Sequence, residues 1–239
     1  MLISLLFLAT TGLGVAFIAL ALRAGFAGRS RLIAWGLLAL WLVATGSVAA
    51  AGLLEPAANR PPPNLVMALV GVFALCGLAL AGPGRRMAMS ISPHWVVGMQ
   101  GFRIPVEICL WMGADAGLSP VLMSWHGRNF DVISGLLGLA LGLVMARRVV
   151  PRAVVAAYHV LGLGLVLNVA GHAIAAMPGP LQVIFGAENA PLFVTTFPYV
   201  WLPAVLVPLA IAGHVLGLRQ LKLQPGKAAG PSSLAGSRP

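Results

Sequence analysis

At 239 residues, with 59% hydrophobic and 8% charged side chains and a mean hydropathy of +0.96, the chain has more apolar surface than a soluble domain of its size can hide from water. The net charge of +10 raises nucleic acid as a partner, but the charge distribution excludes it. The basic residues form short clusters between apolar runs, the pattern by which membrane proteins are oriented, and build no single patch.

Windows of about 20 apolar residues match a hydrocarbon core of ~30 Å. Seven can be drawn, at 2–22, 32–54, 64–82, 91–112, 120–146, 153–176 and 190–218. The expected fold is therefore an all-α, polytopic membrane bundle of seven transmembrane helices. Met1 to Ala21 lacks a basic leader and is long enough to span, so it reads as the first helix rather than a signal peptide. Breaks of Gly, Pro and Arg separate the windows, including Gly82-Pro83-Gly84 and Pro178-Gly179-Pro180. Ser119 before Pro120 reads as the N-cap and first turn of the fifth helix. Cys76 and Cys109 fall on adjacent windows at different depths, too far apart for a disulfide.

The loops alternate in charge. Arg23, Arg29 and Arg31, then Arg85 and Arg86, then Arg147, Arg148 and Arg152, and finally Arg219, Lys222, Lys227 and Arg238 put twelve basic residues on one side. Between the windows the other side has Arg60 alone, together with Glu55, Asp115 and Glu188. By the positive-inside rule the N-terminus is outside and the C-terminus cytoplasmic, as expected for a multi-pass protein of the bacterial inner membrane. Residues 1–223 form the transmembrane domain in this reading, and 224–239, rich in Gly, Pro, Ser and Ala, a disordered cytoplasmic tail.

Ionisable groups inside apolar windows are costly, which makes them candidates for function. On the fourth window Gln100, Arg103 and Glu107 share a face, with Arg103 and Glu107 spaced to pair. Pro105 interrupts that face. On the fifth, Ser124, Arg128, Asp131, Gly135, Gly138 and Gly142 form one stripe whose glycines allow close helix approach. With Asn129 beside that stripe, and Asn168 and His172 one turn apart on the sixth window, the expected site is a polar cavity open to the outside. Arg103, Arg128, Glu107 and Asp131 would make it electrically neutral. The last window, interrupted by Pro198, Pro203 and Pro208, would line it.

Phe102-Arg103-x-Pro105-Val106-Glu107, Gly127-Arg128-Asn129-Phe130-Asp131, Leu167-Asn168 and Phe197-Pro198 onward to His214 resemble a family of bacterial integral membrane proteins with no established activity. The similarity covers residues 99–220. It implies a topology and a shared site, and no chemistry; His172 lies outside the pattern.

No cofactor is expected. His94, His159 and His214 map toward the cytoplasmic ends of their windows, where a polar tip reaches the interface; clamping a haem between them is the alternative use. No His-x-x-x-His or His-Glu-x-x-His motif points to zinc. Lys222 and Lys227 lie beyond the last window, which rules out a Schiff base inside the bundle. Three function classes stay open. The first is binding or transport of a small polar or anionic molecule held by Arg103 and Arg128. The second is a membrane-embedded enzyme acting on a lipid or isoprenoid with Glu107 or Asp131 as acid/base. The third is a subunit that works with a membrane partner or a second copy.

Overall fold

The structure, a computed structural model, describes residues 1–57 and 59–224, so the expected tail from residue 225 onward lies outside the described residues. The long regular elements of the described residues are all helices, with no β-strand element: α1 (Leu2–Gly25), α2 (Gly28–Ala50), α3 (Pro63–Leu80), α4 (Gly82–Ser90), α5 (Pro93–Gly98), α6 (Arg103–Asp115), α7 (Asp131–Met145), α8 (Arg152–Ala176) and α9 (Val207–Leu223). Five helices are long and apolar enough to cross a membrane: α1, α2, α3, α8 and the run Leu202–Leu223 that contains α9. Leu202–Leu223 is the most enclosed of the five. Its neighbours α3, α4, α5 and α8 pack around it, and Leu206, Leu209 and Leu216 join the main core with Phe7, Ile18 and Leu22 of α1.

Basic side chains tie the helix ends together at one end of the bundle. Arg86 Nε donates to the Gly25 carbonyl at 2.7 Å, and Arg219 Nη1 donates to those of Ala79 and Ala81, both at 2.6 Å. Arg152 donates to the carbonyls of Leu221 and Gln224. The carbonyls of Gly25, Ala79 and Leu221 belong to the last turns of α1, α3 and α9, where the helix dipole favours a cation, while that of Ala81 also accepts the Arg85 N–H of α4 at 3.2 Å. The segments 51–57, 59–62, 116–130 and 177–200 form the opposite end.

The expected fifth helix starts eleven residues late, at Asp131 rather than at Pro120. α6 ends in a Schellman motif: Gly117 has φ +68°, its N–H bonds to Ala114 O at 3.1 Å, and that of Leu118 to Gly113 O at 2.8 Å. Ser119, the expected N-cap, instead donates its Oγ to Leu110 O at 3.0 Å. From there the chain turns through a short 3-10 helix, Val121–Met123, and loops back. Asn129 accounts for the loop. Its Nδ2 donates to Met123 O at 2.9 Å and its Oδ1 accepts from the Asp131 N–H at 3.0 Å, local bonds that outcompete a helix. The stripe of small residues survives from Asp131 onward, where Gly142 lies directly against Gly98 of α5.

The seventh window is also shorter than expected. Residues 190–200 are irregular, and a π-helical turn at Leu202–Leu206 leads into α9. Pro208 has no N–H to offer the Ala204 carbonyl, four residues back. Trp41 supplies the missing donor, Nε1 to Ala204 O at 3.0 Å, and so fastens α2 to the break. Pro105, expected to disrupt the fourth helix, falls in the first turn of α6, just after the helix changes type. The preceding Met99–Phe102 is 3-10, so Pro93 to Asp115 is helical in three pieces.

Candidate functional site

The buried polar residues gather where α6, α7, α8 and the 116–130 loop meet. Arg103 is 2% exposed, and its Nη1 donates to Asp131 Oδ1 at 2.9 Å and to Gly162 O at 3.4 Å. Asp131 starts α7, where a carboxylate meets the positive end of the helix dipole. One turn along α6, Glu107 accepts from Asn129 Nδ2 at 2.7 Å and from the Trp125 N–H. The order of the network is therefore Glu107, Asn129, Asp131, Arg103.

This differs from the sequence reading in two pairings. Arg103 and Glu107 do not pair along the helix; each bonds across to the loop or to α7. Arg128 is exposed and takes no part, because the turn at residues 124–128 carries its side chain away from the bundle. Only its backbone is used, accepting from Asn168 Nδ2 at 2.8 Å. The buried set is thus one guanidinium and two carboxylates rather than a balanced four.

The remaining expected residues take local partners. Gln100 is fully buried, with Nε2 donating to Ala210 O at 3.2 Å; Ser124 Oγ donates to Val121 O at 2.9 Å; His172 Nδ1 sits 2.9 Å from Asn168 O, within α8. None of the three lines a cavity with Asp131. His159 and His214 also depart from expectation. Instead of reaching an interface they are enclosed and meet Nδ1 to Nδ1 at 3.0 Å, one ring donating and the other accepting. Gly217 and Gly162 make the room: a Cβ on either would collide with a histidine ring. With the rings in direct contact, an iron clamped between them would require them to part.

A cavity of about 110 Å³ opens beside Asp131, toward the end opposite the arginine clasps. Its walls are mostly apolar, from Leu65, Val106, Leu110, Val169 and Ile174, and its polar edge is Asn64, Asn129 and Asp131. Of the nine expected site residues, then, Asn129 and Asp131 face it. Sequence reasoning misses Asn64. It is 6% exposed with Oδ1 unpartnered, and the available signal is a lone amide in the first turn of an apolar helix, directly after three prolines.

Comparison with models of protein families, with curated proteins and with solved structures gives no match. The family resemblance therefore rests on its short motifs alone.

Proposed function

We propose that the chain is a seven-pass protein of the bacterial inner membrane that binds a small, largely apolar molecule through a hydrogen-bond-donating end. The five long helices would be joined by two shorter crossings, Pro93–Asp115 and α7 with the loop before it. The arginine clasps at one end favour a cytoplasmic location for that end, with Met1 outside.

Asn64 carries the ligand reading. A buried acceptor without a partner costs about 1–3 kcal/mol, and Asn64 Oδ1 is such an atom on a cavity wall. Asp131 adds a carboxylate to the same wall, while Arg103 is turned to Asp131 and Gly162 and lines no part of it. A neutral donor such as a hydroxyl fits this lining better than an anion does. The cavity volume approaches the ~150 Å³ at which an apolar cavity takes up benzene. Glu107 does not line the cavity, which weighs against it as the acid/base of an enzyme and leaves Asp131 alone for that role. Transport would require the packed layer of Gln100, Arg103, His159 and His214 to open.

The test uses one molecular body with different heads. Benzyl alcohol should raise the unfolding temperature of the detergent-solubilised protein relative to an Asn64→Leu variant, and benzoate should not. Stabilisation by benzoate, insensitive to Asn64→Leu, would return the reading to an anion site.

A further inference from the structure

A second cavity, which shares no lining residue with the one beside Asp131, is wedged between α1, α2 and α3. We infer that it holds one acyl chain of an anionic glycerophospholipid, whose phosphate sits at the N-terminus of α2. The inference rests on the membrane reading of the helices and is independent of the Asn64 cavity.

The wedge exists because α2 is attached along only part of its length. Trp41 bonds to Ala204 O, and Trp201 Nε1 bonds to Thr45 Oγ1 at 3.2 Å, which fixes the half of α2 away from the arginines. Nearer Arg31 the one hydrogen bond from an α2 side chain to another helix, among the described residues, is Trp35 Nε1 to Ala19 O of α1, at 3.1 Å. α2 and α3 scarcely touch, so the space between them opens sideways to lipid. Its volume is about 550 Å³, within the ~300–1,000 Å³ of sites that enclose whole small molecules. The lining is apolar throughout, including Leu22, Phe26, Leu38, Trp41, Ala74 and Leu78. From Ala34 to Ala44 it follows α2 for roughly 15 Å at ~1.5 Å per residue, an elongated shape suited to a hydrocarbon chain.

Charge identifies the head. Ala34, Leu38 and Trp41 form one stripe of α2, and Arg31 continues it at the mouth of the wedge. The Arg31 guanidinium lies 5.6 Å from the centre of the Trp35 ring, and its Nε is buried without a partner. Arg29 is exposed on the same first turn, and no side chain caps that end of the helix. Segments 22–36 and 79–92, which frame the mouth, contain no Asp or Glu. A phosphodiester there would meet two guanidinium groups and the free N–H groups of a helix start, while its chain fills the wedge. A second copy of the protein would bring like charge to this mouth.

Native mass spectrometry of the full chain decides it, with dioleoyl-phosphatidylglycerol and dioleoyl-phosphatidylcholine as probes. One phosphatidylglycerol should be retained at least about tenfold more strongly than phosphatidylcholine, the effect of two arginines at a membrane surface. R29Q together with R31Q should abolish the preference, and Ala44→Phe with Ala74→Phe, at exposed positions on the wedge wall, should abolish retention of both lipids. Equal retention of the two lipids, retention unchanged by the filling substitutions, or a dimer that disappears on filling would each overturn the assignment.

Discussion

Arg103 and Asp131 form the one ion pair among the described residues, Nη1 to Oδ1 at 2.9 Å, and it joins the first turn of α6 to the first residue of α7. Arg103 is buried and Asp131 partly so, and the carboxylate is the one charge that compensates the guanidinium. Removing one partner of such a pair costs about 3–5 kcal/mol, whereas replacing both with apolar volume is often neutral. Arg103→Ala should therefore lower the unfolding temperature in detergent far more than Arg128→Ala, and Arg103→Met with Asp131→Leu should recover most of the loss. Equal stability of the two arginine variants would mean that Arg103 is solvated.

Asn129 lies between the two carboxylates, donating to Glu107 and accepting from the Asp131 backbone. In Asn129→Leu these contacts and the one to the Met123 carbonyl vanish; Glu107 keeps the Trp125 N–H, while each buried group left unpaired costs about 1–3 kcal/mol. Asn129→Asp keeps the size but sets a third carboxylate beside Glu107. Thermal unfolding should rank the wild type first, Asn129→Leu second and Asn129→Asp last. An aspartate variant as stable as wild type would show that Glu107 does not receive the Asn129 donor.

How legible this was from sequence depends on which physics decides each element. Long apolar windows are governed by the hydrophobic thickness of a bilayer, and α1, α2, α3 and α8 appear near their expected limits. The glycines at 135, 138 and 142 were readable because close helix approach needs small side chains at a fixed spacing. The segment 120–130 misled because Ser124, Arg128 and Asp131 fit a helical stripe while the side chain of Asn129 bonds to nearby backbone, and spacing cannot register that competition. The facing of His159 and His214 was hidden for another reason. It depends on how α8 meets α9 across Gly162 and Gly217, a tertiary relation with no signal in either helix alone.

The clustering of arginine clasps at one end yields a topological expectation. A reporter fused after Gln224 should be active as a cytoplasmic reporter, and one inserted at Asn59 as an exported one. Two fusions reporting the same compartment would rule out an odd number of crossings.

The bond from Trp41 to the Ala204 carbonyl exists because Pro208 leaves that carbonyl without its helical donor. The two residues should therefore be energetically coupled even though one lies on α2 and the other on α9. Trp41→Phe keeps an aromatic ring but removes the donor together with part of the indole's packing; the hydrogen-bond share of the cost should be on the order of 1 kcal/mol. In a Pro208→Ala background residue 208 can supply the N–H itself, so the same Trp41→Phe change should cost less by that hydrogen-bond share, with the packing loss common to both backgrounds. A double-mutant cycle on unfolding free energies reads this directly, since contacting residues show coupling of about 0.5–3 kcal/mol. Strict additivity would show that the tryptophan holds α2 by packing alone, and α2 would then owe its attachment to Trp201 and Thr45 instead.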